Sequence, residues 1–142
     1  MKKLIEKLIE TLSSAMHDAW RKEVGPEPQL RPDRDDAGNK VGDPTININV
    51  PFEGLTPGWR KYNSQAAQKY VAAFVELDFT ENVEELSSAI HDLWIIDNEW
   101  QKADKPELFV SFKELSPEEA EKDRVYARLI INTYKNLTKE EA

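Results

Sequence analysis

The chain has 142 residues and a formal net charge of -8, with 19 Lys/Arg against 27 Asp/Glu. It contains no cysteine, which excludes disulfide staples and thiolate zinc sites, and no apolar run approaches the roughly 20 residues of a membrane span. One domain of ordinary size is expected, large enough to bury its own core, and the acidic field excludes duplex nucleic acid as a partner.

The first element is a helix. Leu4, Ile5, Leu8, Ile9, Leu12, Ala15, Met16, Ala19 and Trp20 recur at helical spacing and form one apolar stripe. Its opening, MKKLIEKLIETL, is charged at regular intervals and has no uninterrupted apolar stretch, unlike a secretory signal, so a cytoplasmic protein is expected. Gly25–Pro44 is rich in Pro, Gly, Asp and Arg and reads as a mobile, self-neutralised loop. Thr45–Val50 alternates like a short strand, and Thr56-Pro57 starts a second helix with Tyr62, Ala66, Tyr70, Ala73 and Phe74 on its apolar face.

The pattern then repeats. Asn82 is an N-cap with Glu85 three residues on, and Val83, Leu86, Ile90, Leu93 and Trp94 give the stripe of a third helix. Leu108–Phe112 reads as another short strand. Ser116-Pro117-Glu118-Glu119 is a capping box opening a fourth helix, with Ala120, Tyr126, Ala127, Ile130, Ile131 and Tyr134 inward.

These elements are two copies of one unit. Leu12 to Trp20 reads LSSAMHDAW and Leu86 to Trp94 reads LSSAIHDLW, identical at seven of nine positions. Val50 to Pro57, VPFEGLTP, is matched by Val110 to Pro117, VSFKELSP. The offset is 74 residues for the first block and 60 for the second, so the first copy holds 14 extra residues, within Gly25–Pro44. Copy one covers about 4–75 and copy two about 82–137 of a single 1–142 domain. The expected fold is mainly α: two pseudo-twofold-related helix–loop–(short strand)–helix units, whose strands pair across the copies. Neither strand would be stable alone. The charge divides unevenly: residues 1–74 have 11 Lys/Arg and 10 Asp/Glu, whereas 75–142 have 8 and 17. An anionic ligand should prefer the first half.

The repeated blocks resemble the ryanodine-receptor repeat. That family carries a helix motif close to L-A-E-N-x-H-E-x-W and a later segment close to P-x-L-V-P-Y-x-x-L-x-x-x-E-K-x-x-D-R. Leu86-Ser87-Ser88-Ala89-Ile90-His91-Asp92-Leu93-Trp94 is similar to the first. Pro106 to Leu115, with Lys122-Asp123-Arg124, is similar to the second. In copy one His17 and Trp20 match the helix motif, and Asp43-Pro44, Val50-Pro51-Phe52, Leu55 and Lys61-Tyr62-Asn63 match the rest more loosely. The family's Gly-Trp-x-Tyr-Gly between the blocks is missing from both copies. The resemblance implies a non-catalytic ligand-binding module that captures a small anionic nucleotide-derived molecule, of ADP-ribose or cyclic-nucleotide type, without a cofactor. It further implies a setting in bacteria or their phages, where such a protein would act as an anti-defence sponge for an immune signal. The alternative is a protein–protein interaction or homo-oligomerisation module with no small ligand.

Candidate site residues follow from the chemistry an anion or base would need. His17 with Trp20, and His91 with Trp94, place an imidazole donor beside an indole face at the rim of a pocket between the copies. The competing assignment has each Trp in the core and each His bonded to a backbone carbonyl of the following loop. The second helix of copy one starts without acids, at Gly58, Trp59, Arg60 and Lys61, where free N–H groups and two cations suit an anion; Trp59 would stack on a ring, and Asn63 follows one turn on. Arg31 and Arg34 of the insert would close over it. Asn47 and Asn49 share one strand face and would read polar edges or cap turns. Two histidines in separate copies make no recognised metal spacing, and no nucleophile elbow, P-loop or dinucleotide fingerprint is present, so no metal and no catalytic residues are expected.

Overall fold

The computed structural model describes residues 1–141. It is mainly α, with four α-helices and one two-stranded sheet among the described residues. The helices are α1 (Lys2–Val24), α2 (Pro57–Glu76), α3 (Val83–Asp97) and α4 (Pro117–Glu141); the strands are β1 (Leu30–Arg34) and β2 (Lys40–Asn47). Single 3-10 turns occupy Phe52–Gly54, Glu99–Gln101, Pro106–Leu108 and Phe112–Glu114. The chain divides into two compact units, Met1–Gln68 and the part from Lys69 onward, with the border inside α2. No helix among the described residues is long and apolar enough to cross a membrane.

In the first unit α1 buries Leu4, Leu8 and Leu12, the expected stripe, and then Ser13 and His17. The helix stops at Gly25, whose φ of 85° few L side chains adopt without strain. Ile48, Leu55 and Trp59 form a buried cluster against which Trp20, Ile46, Val50, Phe52 and Tyr62 pack. The buried hydrophobic side chains of α2 are Trp59, Ala67, Val71 and Phe74; of the expected face Phe74 is buried, and Tyr62, Ala66, Tyr70 and Ala73 are half-buried.

The insert is not a mobile loop. Its residues form the antiparallel β1–β2 hairpin, pairing Leu30 with Asn47, Arg31 with Ile46, Asp33 with Val41 and Arg34 with Lys40. Asp35 closes the turn by accepting the N–H groups of Ala37 and Asn39 at 2.9 Å each, and Gly38 supplies a φ of 86°. Two strands alone are marginal in water. This pair is held by α2: the Arg34 guanidinium lies 4.2 Å from the Tyr62 ring centroid and 4.8 Å from that of Trp59, and the Trp59 indole N–H donates to the Pro32 carbonyl at 3.0 Å.

In the second unit α3 packs on α4, burying Leu86, Ile90, Ala127, Ile130 and Ile131. The Asn82 side chain accepts from Glu85 N at 3.2 Å, and Ser116 Oγ from Glu119 N at 3.3 Å, as the caps predict. Glu119 turns instead to Lys122, at 3.1 Å. After α2 the chain reverses through Asp78 and Phe79, non-glycine residues with φ near +55°. Strain there is offset by packing, since the Phe79 ring stacks on Tyr134 at 4.9 Å and meets Phe74 edge-on at 5.5 Å.

The expected strand at Leu108–Phe112 is absent, and with it the pairing across copies; β2 pairs within its own unit. The backbone of this stretch is satisfied locally by the 3-10 turns, with Leu108 N donating to Lys105 O and Phe109 N to Pro106 O.

Candidate functional site

The two histidines hold loops. His17 is 6% exposed, and its Nε2 lies 2.8 Å from the Val50 carbonyl. A carbonyl only accepts, so Nε2 carries the proton. Nδ1 is left as the acceptor, and Asn63 Nδ2 donates to it over a long 3.4 Å. Trp20 stacks on the same imidazole at 5.6 Å. The second unit repeats the device: His91 Nε2 donates to the Val110 carbonyl at 2.9 Å, and Trp94 stacks on the ring at 5.9 Å. Val50 and Val110 occupy equivalent positions of the repeat, as do Asn63 and Asp123.

One chemical change separates the two clamps. Asp123 Oδ2 lies 3.2 Å from His91 Nδ1, where the first unit has an amide. Asp123 is 9% exposed. Burial pushes its carboxyl up from 3.8 to about 6, against the opposing pull of His91 and, more weakly, Lys122; the Glu119 charge pushes in the same direction as burial. Between those values the folded carboxyl keeps a proton that the unfolded one has released. The unfolding free energy therefore falls as pH rises from about 4 to 6, and flattens above. Asp123→Asn gives the second clamp the first clamp's chemistry. Relative to that variant, the unsubstituted chain should lose about 1–2 kcal/mol across the window, discounted for residual solvent. Urea unfolding of both at half-unit pH steps checks this; parallel curves would mean that Asp123 does not titrate there.

With both Nε2 atoms tied to carbonyls, neither imidazole is available as a base for a substrate. His17, Trp20, His91 and Trp94 are brought together as loop clamps within each unit.

The start of α2 already has an acid. Thr56 caps it, accepting from Trp59 N at 3.3 Å, and donates its own hydroxyl proton to Asp33 Oδ1 at 2.6 Å. That bond, with the Arg34 N–H, holds the Asp33 carboxyl below its ordinary value. β1 also covers Gly58: a Cβ there would overlap the Arg34 carbonyl oxygen. Glycine thus permits close approach of the chain's own hairpin rather than of a ligand. Trp59 is buried with its N–H spent, Arg60 is half-buried and Lys61 exposed. Arg31 bonds locally, to the Leu30 carbonyl and Gln29 Oε1. Asn47 caps a turn, accepting from Gln29 N and Asn49 N at 3.0 Å each.

A cationic cleft lies elsewhere in the first unit. It has a volume of about 480 Å³ and is lined by Arg21, Lys22, Gly25, Pro26 and Asn49. Of the residues singled out from sequence, only Asn49 lines it. Its amide is a bracket: Nδ2 donates to the Gly25 and Glu27 carbonyls at 2.7 Å each, and Oδ1 accepts from Arg21 Nε at 3.1 Å. The C-terminal part of α1 thereby grips adjacent loop residues twice, His17 on Val50 and, one turn later, Arg21 on Asn49. In the second unit the repeat places Ile95 and Ile96 at the positions of Arg21 and Lys22, and Phe109 at that of Asn49. A Trp94–Phe109 ring contact at 5.3 Å stands there in place of the polar bracket. Comparison of the chain with protein-family models, with curated proteins and with solved structures finds no match.

Proposed function

We propose that this chain is a non-catalytic module of the ryanodine-receptor-repeat kind that captures a small anionic, nucleotide-derived molecule. The observation that carries the reading is the cleft of about 480 Å³ with Arg21 and Lys22 on its wall, in a chain of net charge -8. The cleft is shallow and open to solvent, so it would hold one charged end of a small ligand rather than enclose the whole of it. Cations at a helix C-terminus commonly serve the helix dipole. Arg21 does something further: its Nε is committed to Asn49, and the terminal nitrogens that remain are a fork suited to a bidentate acceptor. The resemblance in sequence suggests a signal sponge as the biological use.

Titration with ADP-ribose and with cyclic nucleotides, followed by thermal unfolding, tests the reading. A ligand at 100 times its dissociation constant should stabilise the fold by about 2.7 kcal/mol. Arg21→Ala should weaken binding roughly tenfold or more, as expected for a charge-assisted hydrogen bond, and Arg60→Ala should leave it unchanged. Absence of a shift with every nucleotide rejects the proposal. The reverse order of the two variants moves the site to the start of α2.

One observation favours a second reading, an interaction module. Ile96 and Trp100 are 69% and 67% exposed, four residues apart at the end of α3 and the turn after it. Sedimentation that shows a dimer dissociated by Ile96→Lys would support that reading over ligand capture.

A further inference from the structure

We infer that the Arg21–Lys22 cleft recognises the phosphate portion of its ligand and leaves the base unread. The inference rests on the proposed ligand-binding function and specifies which part of the ligand that site grips.

Reading a base takes a flat apolar or aromatic face to stack on, or an unspent amide or backbone group to match its polar edge. Among the described residues the cleft wall holds no aromatic side chain. Trp20, next to Arg21 in sequence, has its ring stacked on His17. Asn49 is the one side-chain amide in the wall. Its two N–H groups go to the Gly25 and Glu27 carbonyls, and its oxygen accepts from Arg21. The Gly25 N–H is spent on the Arg21 carbonyl at 3.1 Å, and Pro26 has none to give. What is left to donate are the terminal guanidinium nitrogens of Arg21 and the ammonium of Lys22.

Donors of that kind select charge and geometry. A planar fork beside a point charge fits the oxygens of a phosphomonoester or a diphosphate, whatever organic group those carry. Free pyrophosphate, a nucleotide and a sugar phosphate would share the site. In this arrangement Asn49 is a positioning residue, holding the guanidinium by its Nε and leaving the terminal nitrogens for the ligand.

The experiment is a competition series on the intact protein, using ADP-ribose, inorganic pyrophosphate, adenosine, AMP and CMP. Pyrophosphate should displace ADP-ribose and adenosine should not. AMP and CMP should bind within about threefold of each other, and both should weaken steeply with added salt. Lys22→Gln, which removes the charge without placing an acid at the end of α1, should weaken binding of all phosphate-bearing probes about tenfold while the free protein stays folded with a small shift in its thermal midpoint. Displacement by adenosine, or a purine preference beyond tenfold, overturns the inference and leaves ligand capture standing. If no probe binds, the proposed function fails with it.

Discussion

His91→Ala is expected to lower the unfolding free energy by about 2–4 kcal/mol, and His17→Ala by a comparable amount near pH 5. Each imidazole is buried, and each removal leaves a cavity beside a Trp face and strips a loop carbonyl, Val50 or Val110, of its donor. The two variants should part as pH rises. His17→Ala orphans a neutral amide, whereas His91→Ala leaves the Asp123 carboxyl buried without the partner that offset its burial. Above about pH 6 the His91 variant should therefore be the less stable of the two. Glutamine carries an N–H at a reach similar to that of Nε2, so His17→Gln should recover part of the loss. Urea unfolding at pH 5 and pH 8 decides it, and a His17→Ala cost under about 0.5 kcal/mol would mean that the clamp contributes nothing.

The clamps also show what was legible in the sequence. The Asn82, Ser116 and Thr56 caps are local patterns, decided within a few residues, and they stand in the structure where the spacing puts them, whereas the stripe of α2 is rotated from its expected face. The histidine's partner was legible as one of two assignments because His-x-x-Trp recurs with its loop. The hairpin was not. Its strands are polar, exposed along most of their length and interrupted by Pro32 and Pro44, so neither alternation nor composition marks them. They persist because Asp33, Arg34 and Pro32 find Thr56, Tyr62 and Trp59 more than 20 residues away.

The cleft was half legible. The copies differ sharply at Arg21-Lys22 against Ile95-Ile96, a contrast visible once Trp20 is set against Trp94. What hid it is that two cations ending a helix have an ordinary explanation in the helix dipole. Only the bracket from Asn49, 28 residues on, gives Arg21 a direction. The start of α2 misled in the opposite sense. Its first turn contains no acid of its own because the hairpin brings one.

The close approach of the hairpin to α2 puts the other large effect at Gly58. Three glycines of the first unit should respond differently to alanine. Gly54 has room, its nearest neighbour to a new Cβ being Val50 Cγ2 at 3.4 Å, so Gly54→Ala should be nearly silent. Gly42 has open space but a φ of 81°, so Gly42→Ala should cost about 1 kcal/mol in backbone strain. Gly58→Ala forces a methyl into the Arg34 carbonyl, which is backbone and cannot swing aside. The hairpin must lift, and the Asp33–Thr56 bond, the Pro32–Trp59 bond and the guanidinium stack all depend on that approach. A loss of about 2–3 kcal/mol is expected, near the upper end for overpacking because several contacts fail together. Trp59 would gain water, so its emission should shift to the red in the folded state, before any unfolding transition. A Gly58→Ala protein with unshifted emission and an unchanged midpoint would mean that the hairpin does not rest on α2, and the account of why the insert is ordered would fall with it.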